Sequence, residues 1–309
     1  MRIVFMGTAP FGIPALRSLL AKQYPVEAVV TAPDKPAGRG RKLNEPPVKL
    51  FAAARGIPVL QPSSLKDPWF IDTLRKLRPE LFVVVAFRIL PPAVFTIPSF
   101  GSINLHASLL PRYRGAAPIN WAIIRGEEET GVTTFLLEEG VDTGRILLQE
   151  RLAIGPEETA GELYERLADL GSGVVLETVR LIASKGAAPR EQDESLATTA
   201  PKIFRDDCRI DWSAGTRRVH DFIRGLSPRP GAFFHHGGTL FKVYRSSVAG
   251  AAAADPAPAG TVVSAEGRLL VSCGDGTLSL TELQQEGKNP LPADEFLRGV
   301  RLAAGEVFN

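Results

Sequence analysis

Asn104 and His106 lie two residues apart in Gly101–Gly115, GSINLHASLLPRYRG. On a strand, side chains at i and i+2 point to the same face. An amide and an imidazole therefore converge at one strand end, an arrangement suited to acyl-group transfer. The Asn104 amide can donate to an oxygen that becomes negative in a tetrahedral intermediate. The His106 ring can move protons or, when protonated, stabilise that same oxygen. Asp142 sits between two glycines in G-V-D-T-G-R, residues 140–145. There it can orient and charge-tune His106, or accept a proton from an attacking amine. Each residue also has a structural reading. Asn104 and His106 can satisfy backbone groups at a strand end, and Asp142 can serve an Asx-turn. Spacing alone leaves these readings open. His220, His235 and His236 lie in the second half and do not extend the cluster.

A second set of residues is cationic. Thr31–Leu43, TAPDKPAGRGRKL, places Lys35, Arg39, Arg41 and Lys42 in a loop with two glycines and two prolines. No acidic residue follows Asp34 within it, as in an arm that seeks phosphate. A solvated surface loop is the plainer meaning of such a run. The first glycine turn, G-T-A-P-F-G at 7–12, has neither GxGxxG spacing nor the GK[ST] of a P-loop. It marks no nicotinamide or ATP site. It is either a strand-to-helix turn or a set of backbone N–H groups lining a small-molecule pocket. No metal-ligand spacing occurs, so catalysis without a metal is expected.

These residues need elements to position them. The first half alternates β-rich runs with helical patterns. Strands are expected at 2–7, 26–31, 57–60, 81–87, 101–105, 130–137 and 145–152. Helices are expected at 11–22, 48–55, 67–77, 117–125 and 159–184. Asp67 is placed to cap the third of these helices, with Pro68 at its first position. LFVVVAF at 81–87 is the most apolar run, as in a central parallel strand covered on both faces. This βα alternation predicts a doubly wound α/β sheet with its ligand at the strand ends.

Residues 185–207 lose the pattern and have the composition of a linker. A helix at 217–225 and closely spaced strands at 232–236, 239–247, 260–264, 268–272 and 277–285 follow. They predict a small β-barrel or sandwich. AGAAAADPAPAG at 249–260 is low in complexity and reads as a mobile loop, and 294–301 as a short helical patch. The expected division is a catalytic domain at 1–189, a linker at 190–207 and a second domain at 208–309.

Composition bounds the class. The 309 residues suffice for two cores. Hydrophobic residues at 44% and charged residues at 23% are ordinary for a globular protein. No apolar run approaches the roughly 20 residues that span a bilayer, and MRIVFMGTAPFG is too short an apolar start for a signal peptide. A cytoplasmic protein away from membranes is expected. Cys208 and Cys273 lie far apart and form no CxxC, which argues against a disulfide framework and a thiolate metal site. The net charge of +2 neither favours nor excludes a nucleic-acid partner, so any such signal must be local.

Longer motifs add a resemblance. INLHASLLPRYRGAAPINWAI at 103–123 resembles the signature of the methionyl-tRNA formyltransferase family. MGTAPFGIPAL resembles that family's opening turn, PDKPAGRGRKL its basic loop, EEGVDTGRIL its aspartate loop and FLRGVRLAAGEVF its C-terminal end. The resemblance covers nearly the whole chain. It implies a Rossmann-type formyltransferase domain followed by a domain like an open OB barrel. It also implies 10-formyltetrahydrofolate as formyl donor and methionyl-initiator tRNA as acceptor; a monomer is expected. By matching motif positions, Asn104, His106 and Asp142 would be the catalytic trio. Ser108, Leu109, Leu110 and Pro111 would line the folate site, with Phe87 and Arg88 adjoining it. The basic loop would enter the tRNA acceptor stem, Arg39 foremost, with Lys35, Arg41 and Lys42 beside it. An OB-like barrel with a basic face can track a nucleic-acid backbone. Arg209, Arg217, Arg218, Arg224, Arg229 and Lys242 are the candidates.

Two stretches depart from the family pattern. Phe87 and Arg88 stand where Tyr and Gly are usual, and Arg229 stands where Trp is usual. The rival readings are formylation of a small amine, such as glycinamide ribonucleotide or an amino sugar, and hydrolysis of the formyl folate. A non-catalytic RNA-binding protein is a third, but it need not keep the trio. The basic loop and the extra domain favour tRNA.

Overall fold

β-rich apolar runs in the first part of the chain form the strands of one parallel-centred sheet. The computed structural model describes every residue except 38–41 and 252–256, and for residues 36, 37, 42 and 251 the backbone alone. In chain order the first strands are β1 (Ile3–Gly7), β2 (Val26–Val30), β3 (Lys35–Ala37), β4 (Lys42–Asn44), β5 (Val59–Leu60) and β6 (Leu81–Val85). Then come β7 (Ser102–His106), β8 (Arg114–Gly115), β9 (Glu129–Leu136), β10 (Ile146–Ala153) and β11 (Thr199–Ala200). The remaining strands are β12 (Ala232–His236), β13 (Thr239–Ala251), β14 (Val262–Ser264), β15 (Leu269–Ser272), β16 (Gly276–Gln285) and β17 (Leu291–Pro292). The helices are α1 (Ile13–Ala21), α2 (Pro47–Ala53), α3 (Pro68–Lys76), α4 (Pro92–Phe95), α5 (Pro118–Ile124), α6 (Ala160–Ala183), α7 (Thr216–Leu226) and α8 (Ala293–Gly299).

The chain divides into two units. The first comprises Met1–Gly115, Thr130–Leu152 and Tyr164–Ala200; the second comprises Ala116–Glu129, Ala153–Leu163 and Pro201–Asn309. The first unit carries a seven-stranded sheet in the order β10-β9-β7-β6-β1-β2-β5. Strands β5, β2, β1, β6 and β7 run parallel, and β9 is antiparallel to β7. After β1 the chain builds β2 and β5 on one side, then returns to build β6 and β7 on the other. That reversal creates a switch point between β1 and β6, the place where open α/β sheets bind ligands. Every residue of β1 and β6 is buried, which explains why 81–87 is so apolar. Val4, Met6, Phe82 and Val84 pack with Phe70 and Leu74 of α3 and Val94 of α4. Helix α3 begins as its sequence predicts: the Asp67 carboxylate accepts from the Trp69 N–H at 2.9 Å, with Pro68 in the first turn.

Residues 190–200 are fastened to the first unit. Arg190 bridges to Ile146, and β11 pairs in parallel with β8. The roots of the basic loop also pair, as the short antiparallel ladder β3–β4.

The second unit holds an antiparallel sheet in the order β12-β13-β16-β15-β14, with β17 pairing the end of β16 beyond its ladder with β15. Strand β13 runs on to Ala251, so the first residues of the low-complexity stretch are strand, not loop. Its ladder with β16 shifts register between Val243 and Arg245, between Arg245 and Ser246, and between Val248 and Gly250. Such bulges sharpen twist, and the sheet curls. Val219, Ile223 and Leu226 of α7 join a core that includes Trp212, Phe234, Leu280 and Phe308. Cys208 and Cys273 are free and buried in it. Among the described residues, no helix is long and apolar enough to cross a membrane.

Candidate active site

Strand β7 is an interior strand, with β6 on one side and β9 on the other. Asn104 stands level with Val84 and Phe135, and His106 level with Thr133. His106 closes the strand and is only 6% exposed. Its Nε2 lies 2.8 Å from the Tyr113 carbonyl. A carbonyl can only accept, so Nε2 carries the hydrogen. Nδ1 then faces the Asp142 carboxylate, with Oδ2 at 3.7 Å. That distance allows an ion pair and exceeds a hydrogen bond. The close partner of Oδ2 is the Gly115 N–H, which donates to it at 2.8 Å. Asp142 itself has φ +55°, a left-handed conformation that Asp adopts more readily than most residues. The fold thus brings Asp142 to a histidine 36 positions earlier. Asn104 is half-buried, and its amide has no hydrogen-bond partner among the described residues.

The turn after β7 is built from its own polar groups. The Ser108 hydroxyl is fully buried and donates to the Arg112 carbonyl at 2.6 Å. Thr133 Oγ1 donates to the Ser108 carbonyl at 2.7 Å and accepts from the Leu110 N–H at 3.1 Å. The Gln149 amide donates to the Leu110 carbonyl and to Thr133 Oγ1, at 2.8 and 3.0 Å. The Leu110 side chain is buried against Phe135 and Ile146. Ser108 and Leu110 therefore shape the turn, while Leu109 and Pro111 keep partly open surface.

The switch-point crevice is bordered by the ends of β1, β2 and β6. A Cβ on Gly7 would lie 2.9 Å from the Val85 carbonyl, so this position admits only glycine without a shift of backbone. Thr8 Oγ1 accepts from the Ala32 N–H at 3.4 Å. Beyond β6, Ala86 has φ +49° and Ile89 is 76% exposed. The Arg88 guanidinium donates to the carbonyls of Pro62 and Ser63, at 2.9 and 3.2 Å, and lies over the Phe87 ring at 5.3 Å. Burial lowers its pKa. Its Nε, like Thr31 Oγ1, is buried without a partner among the described residues.

Of the basic-loop residues, Lys35 is exposed. Arg39 and Arg41 lie outside the described residues, as does the side chain of Lys42. The loop's two roots converge on one ammonium: Lys49 Nζ binds Asp34 at 2.5 Å and Glu45 at 2.7 Å. The Asp34 carboxyl sits below the usual carboxylate range because Lys49, and after it Gln61, donate to it.

Comparison with known proteins gives the family. The family model for formyl transferase matches residues 1–179, and that for the formyl transferase C-terminal domain matches 202–301. A methionyl-tRNA formyltransferase of Porphyromonas gingivalis is 48% identical over 98% of this chain and 97% of its own length. One of Geobacter sulfurreducens is 46% identical over 99% and 96%. The chain belongs to the methionyl-tRNA formyltransferase family. Among solved structures, the methionyl-tRNA formyltransferase from Clostridium thermocellum is 18% identical, with a TM-score of 0.56 over 81% of this chain and 94% of that one. WlaRD is a sugar 3N-formyl transferase solved in the presence of dTDP and 5-N-formyl-THF. It is 20% identical, with a TM-score of 0.65 over 94% and 99%. At such identities these two likenesses show the fold alone.

Within this formyltransferase, several residues that hold the site escaped the sequence reading. Thr133 and Gln149 face the β7 turn, yet each is one polar residue in a strand pattern. Gln192, Thr198 and Arg114 brace Asp142 and Tyr113, and nothing in their spacing announces it. One candidate on the second unit is corrected. Arg224 is 3% exposed and donates to Asp221 at 2.7 Å and to the Gly155 and Glu158 carbonyls at 3.2 and 3.0 Å. It is a buried structural arginine and offers nothing to a phosphate backbone. Arg217 is paired with Asp221, and Lys242 donates to the Pro230 carbonyl. Arg209, Arg218 and Arg229 remain exposed. A cleft of about 190 Å³ in this unit, lined by His220, Tyr244 and Arg245 among others, is unlike an anion site, because Arg245 already pairs with Glu162 and Glu282.

Proposed function

We propose that this chain transfers the formyl group of 10-formyltetrahydrofolate to the α-amine of methionine on initiator tRNA. It does so as a monomer in the cytoplasm. The observation that carries the reading is near-half identity, over full length, to methionyl-tRNA formyltransferases. The polar cluster at the end of β7 supplies the chemistry such a reaction needs. The first unit, with residues 190–200 fastened to it, is the catalytic part, and the second unit is the tRNA-binding part.

The folate is a co-substrate that delivers an activated formyl group on its N10. The crevice at the β1–β6 switch point receives it, with Leu109, Pro111, Phe87 and Arg88 at the border and Ser108 and Leu110 shaping the wall. Asn104 donates to the formyl oxygen as the amine adds to the carbonyl carbon. His106, its ring fixed by the Tyr113 carbonyl, stabilises the same charge. Asp142 balances charge on His106 and, through water, helps carry the proton of the amine towards the leaving nitrogen. Lys35, Arg39, Arg41 and Lys42 engage the acceptor stem.

The test is formyl transfer from 10-formyltetrahydrofolate to methionyl-initiator tRNA, run beside methionyl-elongator tRNA and glycinamide ribonucleotide. Rapid transfer to the initiator alone is the expected result. Turnover on the small amine, with none on either tRNA, would overturn the acceptor while keeping the trio.

A further inference from the structure

We infer that residues 192–198 are a positioning element of the active site, with Gln192 fixing Asp142 and Thr198 fixing the carbonyl on which His106 rests. The inference builds on the reading of Asn104, His106 and Asp142 as the trio that carries the reaction.

Gln192 is 9% exposed, and its carboxamide is fully engaged. Nε2 donates to the carbonyls of Asp142 and Gly144, both at 2.8 Å. Oε1 accepts from Arg114 Nε at 3.1 Å and Nη2 at 2.7 Å. An amide has two donors and two lone pairs, and all four are matched. Arg114 in turn is fixed by Glu194, through bonds of 2.8 and 2.6 Å. Arg114 also directly precedes Gly115, whose N–H holds the Asp142 carboxylate. A closed ring results. The main chain of Asp142 is held by Gln192, its side chain by Gly115, and the two holders are joined through Arg114.

Thr198 does the same for the other contact of His106. Its Oγ1 accepts from the Tyr113 N–H at 2.8 Å, and its carbonyl accepts from the Arg114 N–H at 2.9 Å. Tyr113 has φ +61°. Asp142 and Tyr113 are thus both non-glycine residues in left-handed backbone, which L side chains adopt at a cost. Each supplies one of the two contacts of the His106 ring, and each is held in that conformation by 192–198. Gly144 leaves no slack in the loop, since a Cβ there would fall within 1.7 Å of the Leu136 carbonyl.

A role in packing alone makes a different prediction from a role in positioning. Gln192→Glu keeps the shape but sets an acceptor against two carbonyls, so the aspartate loop must move. We expect kcat for formyl transfer to fall by up to roughly 100-fold, the cost of misplacing a reacting group by about 1 Å, with KM for both substrates little changed. Because the effect passes through Asp142, the same substitution placed on Asp142→Ala should cost little further. An equal fold-loss in both backgrounds, or an undiminished kcat in Gln192→Glu, would overturn the inference. Should Asp142→Ala itself retain the full rate, the trio reading fails, and that result is distinct from failure of the brace alone. If the Gln192 variants do not fold, Arg114→Lys keeps the charge and loses the fork onto Oε1. It should show the same kcat loss and the same non-additivity with Asp142→Ala, and full activity there would equally sink the idea.

Discussion

An amide that no neighbouring protein group engages can respond to charge that arises only during reaction. Asn104, whose amide has no hydrogen-bond partner among the described residues, is such a group. It is half-buried on an interior strand, two positions before a histidine whose Nε2 is held by a carbonyl and whose Nδ1 faces the Asp142 carboxylate at 3.7 Å. Asn104→Ala should lower kcat by about 10²- to 10³-fold, the usual loss on removing one oxyanion donor, and should leave KM for the folate nearly unaltered. Unchanged turnover in steady-state transfer assays would remove Asn104 from the chemistry. At this scale the sequence was informative where a local rule applied. The period of two on a strand places Asn104 and His106 together without any knowledge of the fold. It could not place Asp142, because the approach to His106 depends on β9 lying beside β7. Nor could it find Gln192 and Thr198. Their surroundings, APREQDESLATTAP, have the polarity of an exposed connector, and their partners lie roughly 50 to 85 positions earlier.

Elements were legible in proportion to their length. Five-residue apolar strands and the long α6 stand out by periodicity, whereas β8 and β11 have two residues each and no period to detect. Helix ends depend on single contacts, and α7 shows how one can come from far away. Its N-cap is Gly215, which has no side chain to cap with. Asp275 supplies the cap instead, accepting from the Thr216 N–H at 2.6 Å and the Thr216 hydroxyl at 2.8 Å. Those two bonds, the backbone one first, hold the Asp275 carboxyl below the usual carboxylate range. A depressed folded-state pKa means stability that is fully present above the unfolded value and is lost as pH falls through the folded one. Asp275→Ala should therefore lower the thermal midpoint at neutral pH. The gap between variant and native chain should close as pH drops below about 3.9, the unperturbed Asp value. A gap constant with pH in a melting series would mean that Thr216 is not capped by an ionised Asp275.

Across the whole molecule, 36 basic residues nearly balance 34 acidic ones. A net charge of +2 gives little long-range attraction for a polyanion. On the proposed reading, affinity for tRNA comes from phosphates met singly by local cations, with the exposed Lys35 at the root of the basic loop and Arg39, Arg41 and Lys42 along it. Exposed Arg209, Arg218 and Arg229 are further candidates on the second unit. Each phosphate neutralised releases counterions and adds roughly 0.7 to 0.9 to the slope of log affinity against log salt. KM for methionyl-tRNA should therefore climb steeply between about 50 and 200 mM salt, while KM for the folate stays nearly level. Arg39→Ala should reduce the slope by about one contact. Arg224→Ala should leave the slope alone and instead lower the melting temperature, since that guanidinium sits among carbonyls and Asp221 rather than in solvent. A tRNA KM indifferent to salt would place recognition in base or shape contacts and leave the cationic loop without its part in the reaction.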